Sequence, residues 1–447
     1  MPFASTSSLR REIDARIPAR PFTIEFWDGT SLPRTEGDRG PTFYVRSPRA
    51  AAHVLRAPGQ LGLGRAYVSG EIEVDDMDAV IELLDGWDPP SLEGPAKRRL
   101  LLGTIRAAGL TPPPPRPAAE LQPSGRRHSK ERDARAVRHH YDVSNEFFAL
   151  FLDASMTYSC GIFSRGAQTL EEAQEEKLET VARKLELKPG DRVLDVGCGW
   201  GSFPLWAATR HGADVVGITL SPPQAEKARK RAEDAGVGDR VEIRVMDYRD
   251  LAGEKFDAIA SIGMVEHVGA VNIDVYAETL AGLLEPGGRL LNHGITRLRH
   301  TDAEAGAFSE RYVFPDAAPL HLSRNLLALE RAGFVTQHVE SFASDYAETL
   351  SHWARRLDEN LDEAVRLAGP ERVRVWRLYL RAARNGFESG FTSIYQARCT
   401  LGQVDRAGQV GGFPPTPSAL AESAQNGKDS TVSSTQSAPE SPSSAAE

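Results

Sequence analysis

The stretch Arg192-Val193-Leu194-Asp195-Val196-Gly197-Cys198-Gly199-Trp200-Gly201 decides the fold. Val193, Leu194 and Val196 form an apolar run of the kind found inside a parallel sheet, and the glycines behind it let the chain turn tightly and approach a ligand closely. The spacing is G-x-G-x-G. A dinucleotide fingerprint places its third glycine one position later, where this chain has Ser202. The pattern therefore favours S-adenosylmethionine over NAD. A turn that only closes a strand into a helix is the plainer alternative, and the neighbouring sequence argues against it.

That sequence supplies the rest of a doubly wound half-sheet. Val215-Val216-Gly217-Ile218 reads as a second strand, and Ser221-Pro222-Pro223-Gln224 opens a helix through Ala225, Lys227 and Arg231 with proline in its first turn. Val241 to Val245 alternates as a third strand ending at Met246-Asp247-Tyr248, and Phe256 to Ile262 gives a fourth that leads to Glu266-His267. Leu283 to Leu291 holds a helix end, a Pro-Gly-Gly turn and a fifth strand. Ligands of such sheets sit beyond the carboxyl ends of the strands. Gly197 to Gly201, Thr219 to Gln224, Asp247, Glu266 and His293 are accordingly expected at one crevice.

Several further segments carry a specific likeness. His140-Tyr141-Asp142-Val143-Ser144-Asn145-Glu146-Phe147-Phe148, Met156-Thr157-Tyr158-Ser159-Cys160, the glycine turn, Gly217 to Ser221, Gly263-Met264-Val265-Glu266-His267-Val268-Gly269 and Asn292-His293-Gly294-Ile295 resemble, in order, the cyclopropane fatty-acyl-phospholipid synthase family. The likeness runs from about residue 138 to about 400. It implies an α/β fold: a doubly wound, Rossmann-like class I methyltransferase domain with a smaller N-terminal α+β domain. The family includes enzymes of mycolic-acid modification and actinobacterial enzymes that place a methylene or methyl branch on a phospholipid acyl chain. The implied activity is S-adenosylmethionine-dependent transfer of a methyl carbon to an acyl double bond. A methyltransferase of the same fold acting on a soluble small molecule, and a lipid-binding protein with a decayed site, are the other two readings.

An alkene is a feeble nucleophile, so the sulfonium methyl must be held in line with it in a dry pocket. Methyl transfer then leaves a carbocation, which aromatic faces can stabilise; Tyr141, Phe147, Phe148, Tyr158 and Tyr346 are candidates, with Phe147 better read as core. A base must next remove a proton, and the site of removal separates a cyclopropane from a methylene branch. By the resemblance that base is bicarbonate, caged by Cys160, Glu266, His293, the backbone at Ile295, and Tyr346. The resemblance also assigns cofactor contacts to Tyr158, Ser159, Asp195, Gly197, Gly199, Gly201, Thr219, Leu220, Ser221, Gln224, Asp247 and Tyr248. His267 reads as structural. Two departures stand out: Ala383 occupies the place of a late family cysteine once proposed as nucleophile, with Cys399 too far along to replace it, and strand two ends without the usual ribose-binding acid, which leaves that contact to Gln224. The general resemblance leans to the methylene or methyl-branching subgroup, whose product implies a reductase as partner.

Composition bounds the remainder. The chain has 447 residues, 40% hydrophobic and 26% charged, with a net charge of −9, which disfavours nucleic acid as a partner. Three cysteines without metal spacing predict a reducing compartment and no metal site. The absence of a 20-residue apolar run and of an apolar leader predicts a cytoplasmic protein. Four divisions are expected: an N-terminal lipid-associated domain over 1–110, a proline-rich then basic linker over 111–137, the methyltransferase domain over 138–405 and a disordered tail over 406–447. Phe22 to Thr30 reads as a hairpin with an Asp-Gly turn, and Leu61 to Ile72 resembles the N-terminal domain of phospholipid-acting members; a domain that merely packs is equally open. Arg126, Arg127, Lys130, Arg132, Arg135 and Arg138 could meet anionic headgroups at a membrane surface, bound peripherally, or form a solvated helix face. A homodimer is also allowed.

Overall fold

The computed structural model describes residues 5–402 apart from 89, 92, 113, 123–124, 142 and 300–306, without the side chains of 137–141 and 307; the tail over 406–447 therefore lies outside the described residues. Residues 1–403 make one compact unit. Four short strands come first, β1 (Thr23–Phe26), β2 (Ser31–Leu32), β3 (Thr42–Val45) and β4 (Ile72–Val74). They form a sheet of order β2-β1-β3-β4. The Asp28-Gly29 turn closes β1 on β2 as expected, with Gly29 at φ 75° and the Phe26 N–H donating to the Thr30 carbonyl.

The larger sheet contains β5 (Arg192–Val196), β6 (Asp214–Thr219), β7 (Val241–Val245), β8 (Phe256–Ile262), β9 (Leu284–Arg297), β10 (Phe334–Ser341) and β11 (Thr392–Leu401). Its order is β10-β11-β9-β8-β5-β6-β7. The five strands from β5 to β9 pair in parallel, whereas β11 runs antiparallel to both its neighbours. This is the doubly wound α/β sheet that the opening stretch predicts. Its central strands, β5, β6 and β8, are mostly apolar because both faces are covered, whereas the edge strand β7 alternates, with Glu242 exposed. Leu194, Val196 and Ile259 pack under Tyr276, Leu280 and Leu329, from helices Ile273–Leu283 and Leu322–Arg331. Val193, Val215 and Ala258 pack on the other face against Leu178, Val181 and Phe203, from helices Leu170–Lys184 and Ser202–His211.

The N-terminal part is tied to the sheet domain by buried charge. Arg65, in helix Gln60–Val68, forks onto Glu120 at 2.7 and 2.6 Å, and the Tyr312 hydroxyl donates to the same carboxylate at 3.1 Å. Between these parts the basic segment forms a helix, Lys130–Tyr141. Much of its charge is already engaged: Arg127 meets Glu310 and Asp316, Arg132 meets Asp316 at 2.6 Å, and Lys130 meets Asp250. These contacts supply a reason for the positive run that involves no headgroup. Among the described residues no helix is long and apolar enough to cross a membrane.

Candidate active site

The site is built where β5, β6 and β8 end. Gly197 leaves β5 at φ 85°, and Gly199 follows at φ 53° with no atom within 4 Å of the place a Cβ would take. That open side is what close approach of a ligand requires. Two adjoining cavities share Gly197, Gly199, Gln224 and Gly263. The first is lined by Thr219, Leu220, Asp247, Tyr248 and His267, among others; the second by Tyr158, Ser159, Lys177, Asp195 and Trp200.

Most of the expected cofactor residues thus border the crevice, and two do not. Gly201, at φ 82°, begins helix Ser202–His211, and a Cβ there would come within 3.0 Å of the Ala228 Cβ, so its constraint is helix packing. Ser221 is fully buried and caps helix Pro222–Asp234, its hydroxyl accepting from the Gln224 N–H at 3.4 Å. Both line neither cavity. Gln224 is fixed by the Thr219 hydroxyl, which donates to its Oε1 at 2.8 Å. Asp247 faces the first cavity with its carboxylate occupied, because Arg249 donates to both oxygens and also to Asp133 at 2.9 Å. His267, expected to be structural, lines that cavity too, and burial, then the nearby His128, brings its pKa down to about 4.

Sequence reasoning missed Lys177. It is 1% exposed, donates to the Ser159 hydroxyl at 3.0 Å, and has its pKa lowered to about 8 by burial. Asp195, bordering the same cavity, is pushed up to about 7 by burial, and its Oδ1 has no hydrogen-bond partner. A buried unpaired acceptor is costly unless a ligand satisfies it. An amino-acid group with an ammonium for Asp195 and a carboxylate for Lys177 matches the two charges, so these residues fit the methionine end of S-adenosylmethionine.

The residues expected to hold a base, Glu266 and His293 included, line neither of these two cavities. Glu266 follows β8; burial raises its carboxyl to about 7, and its Oε2 has no partner. His293 lies on β9, is fully buried, and is held well below the usual imidazole pKa by burial. Its Nδ1 faces the Gln396 side-chain amide at 3.2 Å, and its Nε2 is a second buried atom without a partner. The remaining members have partners elsewhere. The Ile295 N–H is directed at the Glu266 carboxylate, and the Cys160 thiol donates to the Gly161 carbonyl at 3.0 Å. Burial pushes that thiol well above its usual pKa, so it is neutral. Cys160, Ile295 and Tyr346 share an apolar cluster with Phe342, against which the His293 ring packs at 6.3 Å.

Helix Ala343–Glu359 sets the position of Cys160. Thr349 accepts from the Gly161 N–H at 3.0 Å, and Asp345 accepts from the N–H groups of Phe163 and Ser164 at 2.6 and 2.7 Å. Around Tyr158 stands an aromatic wall: Trp353 stacks on it at 5.0 Å, Phe148 meets it at 5.6 Å and Trp376 at 6.0 Å. Phe147 and Phe148 are both fully buried, and the Tyr141 side chain lies outside the described residues. Ala383 packs against this cluster, whereas Cys399 is buried in a different one on β11.

Sheet order, glycine turn and crevice together define an S-adenosylmethionine-dependent methyltransferase of the class I fold. Residues 128–397 match the family described as mycolic acid cyclopropane synthetase, and the chain belongs to that family. It is 39% identical over 412 residues to a probable fatty acid methyltransferase of Mycobacterium tuberculosis, covering 89% of this chain and 94% of the relative. It is 33% identical over 355 residues to the cyclopropane-fatty-acyl-phospholipid synthase of Escherichia coli, covering 79% and 86%. Among solved structures, the mycolic acid cyclopropane synthase CmaA1 in complex with SAH and CTAB is similar at 31% identity and a TM-score of 0.57, over 60% of this chain and 98% of that one.

Proposed function

We propose that this protein transfers a methyl carbon from S-adenosylmethionine to the double bond of an unsaturated acyl chain in a membrane phospholipid, leaving a methylene or methyl branch or a cyclopropane. The observation that carries the reading is the pair of buried, partnerless atoms, Glu266 Oε2 and His293 Nε2, on the segment that follows β8 and on its neighbour β9, in a protein whose cofactor crevice is bordered by Tyr158 with Trp353 stacked on it. The names of the fatty acid methyltransferase and of the phospholipid synthase support the same substrate class.

S-adenosylmethionine supplies an electrophilic methyl group. Asp195 and Lys177 hold its amino-acid end, and the open side of Gly199 lets the backbone approach. Tyr158, which lines the cavity and is backed by the buried rings of Phe148, Trp353 and Trp376, helps exclude water and offers a ring that tolerates positive charge without reacting with it. With its proton on Nε2, His293 donates and Glu266 Oε2 accepts, a pairing that suits bicarbonate, whose anionic oxygen needs a donor and whose O–H needs an acceptor. Neutral Cys160 and Tyr346 share the apolar cluster of Phe342, on which the His293 ring packs. If a hydride shift first moves the cation to the methylated carbon and the proton then leaves the new methyl, the product is a methylene branch; if the proton leaves a chain carbon, it is an in-chain alkene beside a methyl branch. Either needs a separate reductase to give a saturated methyl branch.

The test is mass spectrometry of lipids from cells expressing the protein, with fragmentation to locate the added carbon. One extra CH2 at a former double bond of a phospholipid acyl chain is the expected result. Unaltered lipids together with a labelled methyl on a soluble metabolite would establish the small-molecule reading instead.

A further inference from the structure

Helix Gly94–Ala108, sequence GPAKRRLLLGTIRAA, has one face packed and the opposite face bare. Gly103 and Ala107 mark the packed side; a Cβ on Gly103 would come within 3.1 Å of the Leu9 Cα, so helix Ser7–Arg16 lies directly against it. At about 100° per residue, Leu101, Leu102 and Ile105 project from the other side. They are 47%, 42% and 47% exposed, and Leu110, just past the helix end, is 80% exposed. Cations border this stripe: Lys97 on one flank, Arg99 and Arg106 on the other, and Arg98 at its N-terminal end. Arg99 is near Glu12 at 3.5 Å, and Arg106 donates to the Ser8 hydroxyl at 3.1 Å. The fifteen residues contain no carboxylate.

We propose that this helix is the membrane-docking surface of the protein, lying in the headgroup layer of an anionic bilayer with Leu101, Leu102 and Ile105 turned toward the acyl chains. The inference rests on the reading that the substrate is a membrane lipid. An apolar stripe flanked by cations, on a helix too polar to enter the hydrocarbon core, is the pattern of interfacial helices. Charge complementarity selects the occupant. A two-fold contact with a second copy would set the same cations against each other, whereas anionic headgroups neutralise them. The surface is separate from the arginine-rich segment before and within helix Lys130–Tyr141, where Arg127, Lys130 and Arg132 are engaged by carboxylates of the protein itself.

The test uses the full-length chain with vesicles of equal parts phosphatidylcholine and phosphatidylglycerol, and with phosphatidylcholine vesicles alone. Wild type should float with the mixed vesicles and stay behind with the neutral ones. Leu101→Gln/Ile105→Gln and Lys97→Glu/Arg98→Glu should each lower binding to mixed vesicles by about tenfold or more. An environment-sensitive dye on Leu102→Cys should shift to the blue with mixed vesicles only; the three native cysteines are buried, so labelling is selective. Both double variants should keep wild-type SAH affinity and should turn over detergent-dispersed unsaturated phospholipid. Wild-type vesicle binding by the variants, or an unshifted dye, overturns the docking surface. Conversion of a lipid-free dimer to a monomer by Leu101→Gln/Ile105→Gln overturns it too, in favour of an interface between copies. If wild type itself turns over no unsaturated lipid, the functional reading fails whatever the helix does.

Discussion

Replacing Lys177 by methionine should move stability and cofactor affinity in opposite directions. The ammonium is buried, and its pKa of about 8 against an ordinary 10.5 corresponds to a cost of about 3 kcal/mol for keeping it charged in the folded protein. The sign follows from proton counting. Between pH 8 and 10.5 the unfolded chain holds a proton that the folded one has released, so stability rises with pH across that window, and below it the full cost applies. Methionine has similar length and no charge to desolvate; losing the hydrogen bond to Ser159 takes back about 1 kcal/mol. The apo variant should therefore be about 2 kcal/mol more stable at pH 7, and its stability should no longer climb above pH 8. Affinity should fall. A charge-assisted contact to the ligand's carboxylate contributes about 1.5–3 kcal/mol, or roughly 10- to 150-fold in Kd. Denaturant melts at pH 7 and pH 10 read the first effect, and calorimetry with SAH reads the second. Methylthioadenosine, which lacks the amino-acid group, separates contact from distortion: its Kd should not change. A variant that is destabilised and binds SAH normally would make Lys177 a structural residue, and equal losses for both ligands would refute the carboxylate assignment.

Gly199→Ala should sharply weaken SAH binding at a modest stability cost from its φ of 53°, because its Cβ would enter the crevice without meeting protein, whereas Gly201→Ala should lower the melting temperature more, through its clash with Ala228 added to a φ of 82°. Calorimetry and thermal melts distinguish the two sites. Glu266→Gln and His293→Ala should retain SAH affinity and lose turnover, and carbonate-depleted wild type should gain activity on adding bicarbonate. Wild-type kcat/KM should rise as pH passes about 7, where the Glu266 carboxylate forms, and the rise should be missing in Glu266→Gln. Since its folded pKa lies above the unfolded value of 4.5, Glu266 contributes stability below that pH which is lost as pH climbs through 7, and the glutamine variant should not show this decline.

Which parts of the site were legible follows from the range of each signal. The sheet core and glycine turn depend on neighbours within a few residues, and an apolar strand followed by glycines has few other uses; β5 to β8 accordingly form where the apolar runs predict, whereas β9 runs from Leu284 to Arg297, through the Pro-Gly-Gly segment read as a turn. Gly201 shows the limit of that logic. It belongs to the same short motif as Gly199, yet its constraint is Ala228, on the next helix, and no local pattern distinguishes packing from ligand approach. Ile295 and Cys160 fail to stand free for a comparable reason: a backbone N–H and a thiol bond to the nearest acceptor, and that acceptor is set by the tertiary fold. Lys177 did leave a trace. Helix Leu170–Lys184 buries Ala173, Lys177 and Val181, spaced four apart, so a cation falls on the apolar stripe. A charge at a core position is expensive unless something answers it. The same rule, applied in reverse, directs attention to helix Gly94–Ala108, where leucines occupy the solvent face and Gly103 the packed one. A cluster of arginines in sequence does not by itself mark an outward-facing charged surface, because carboxylates distant in sequence can neutralise it, as Asp316 does for Arg127 and Arg132, whereas an exposed apolar stripe stays costly until it is covered.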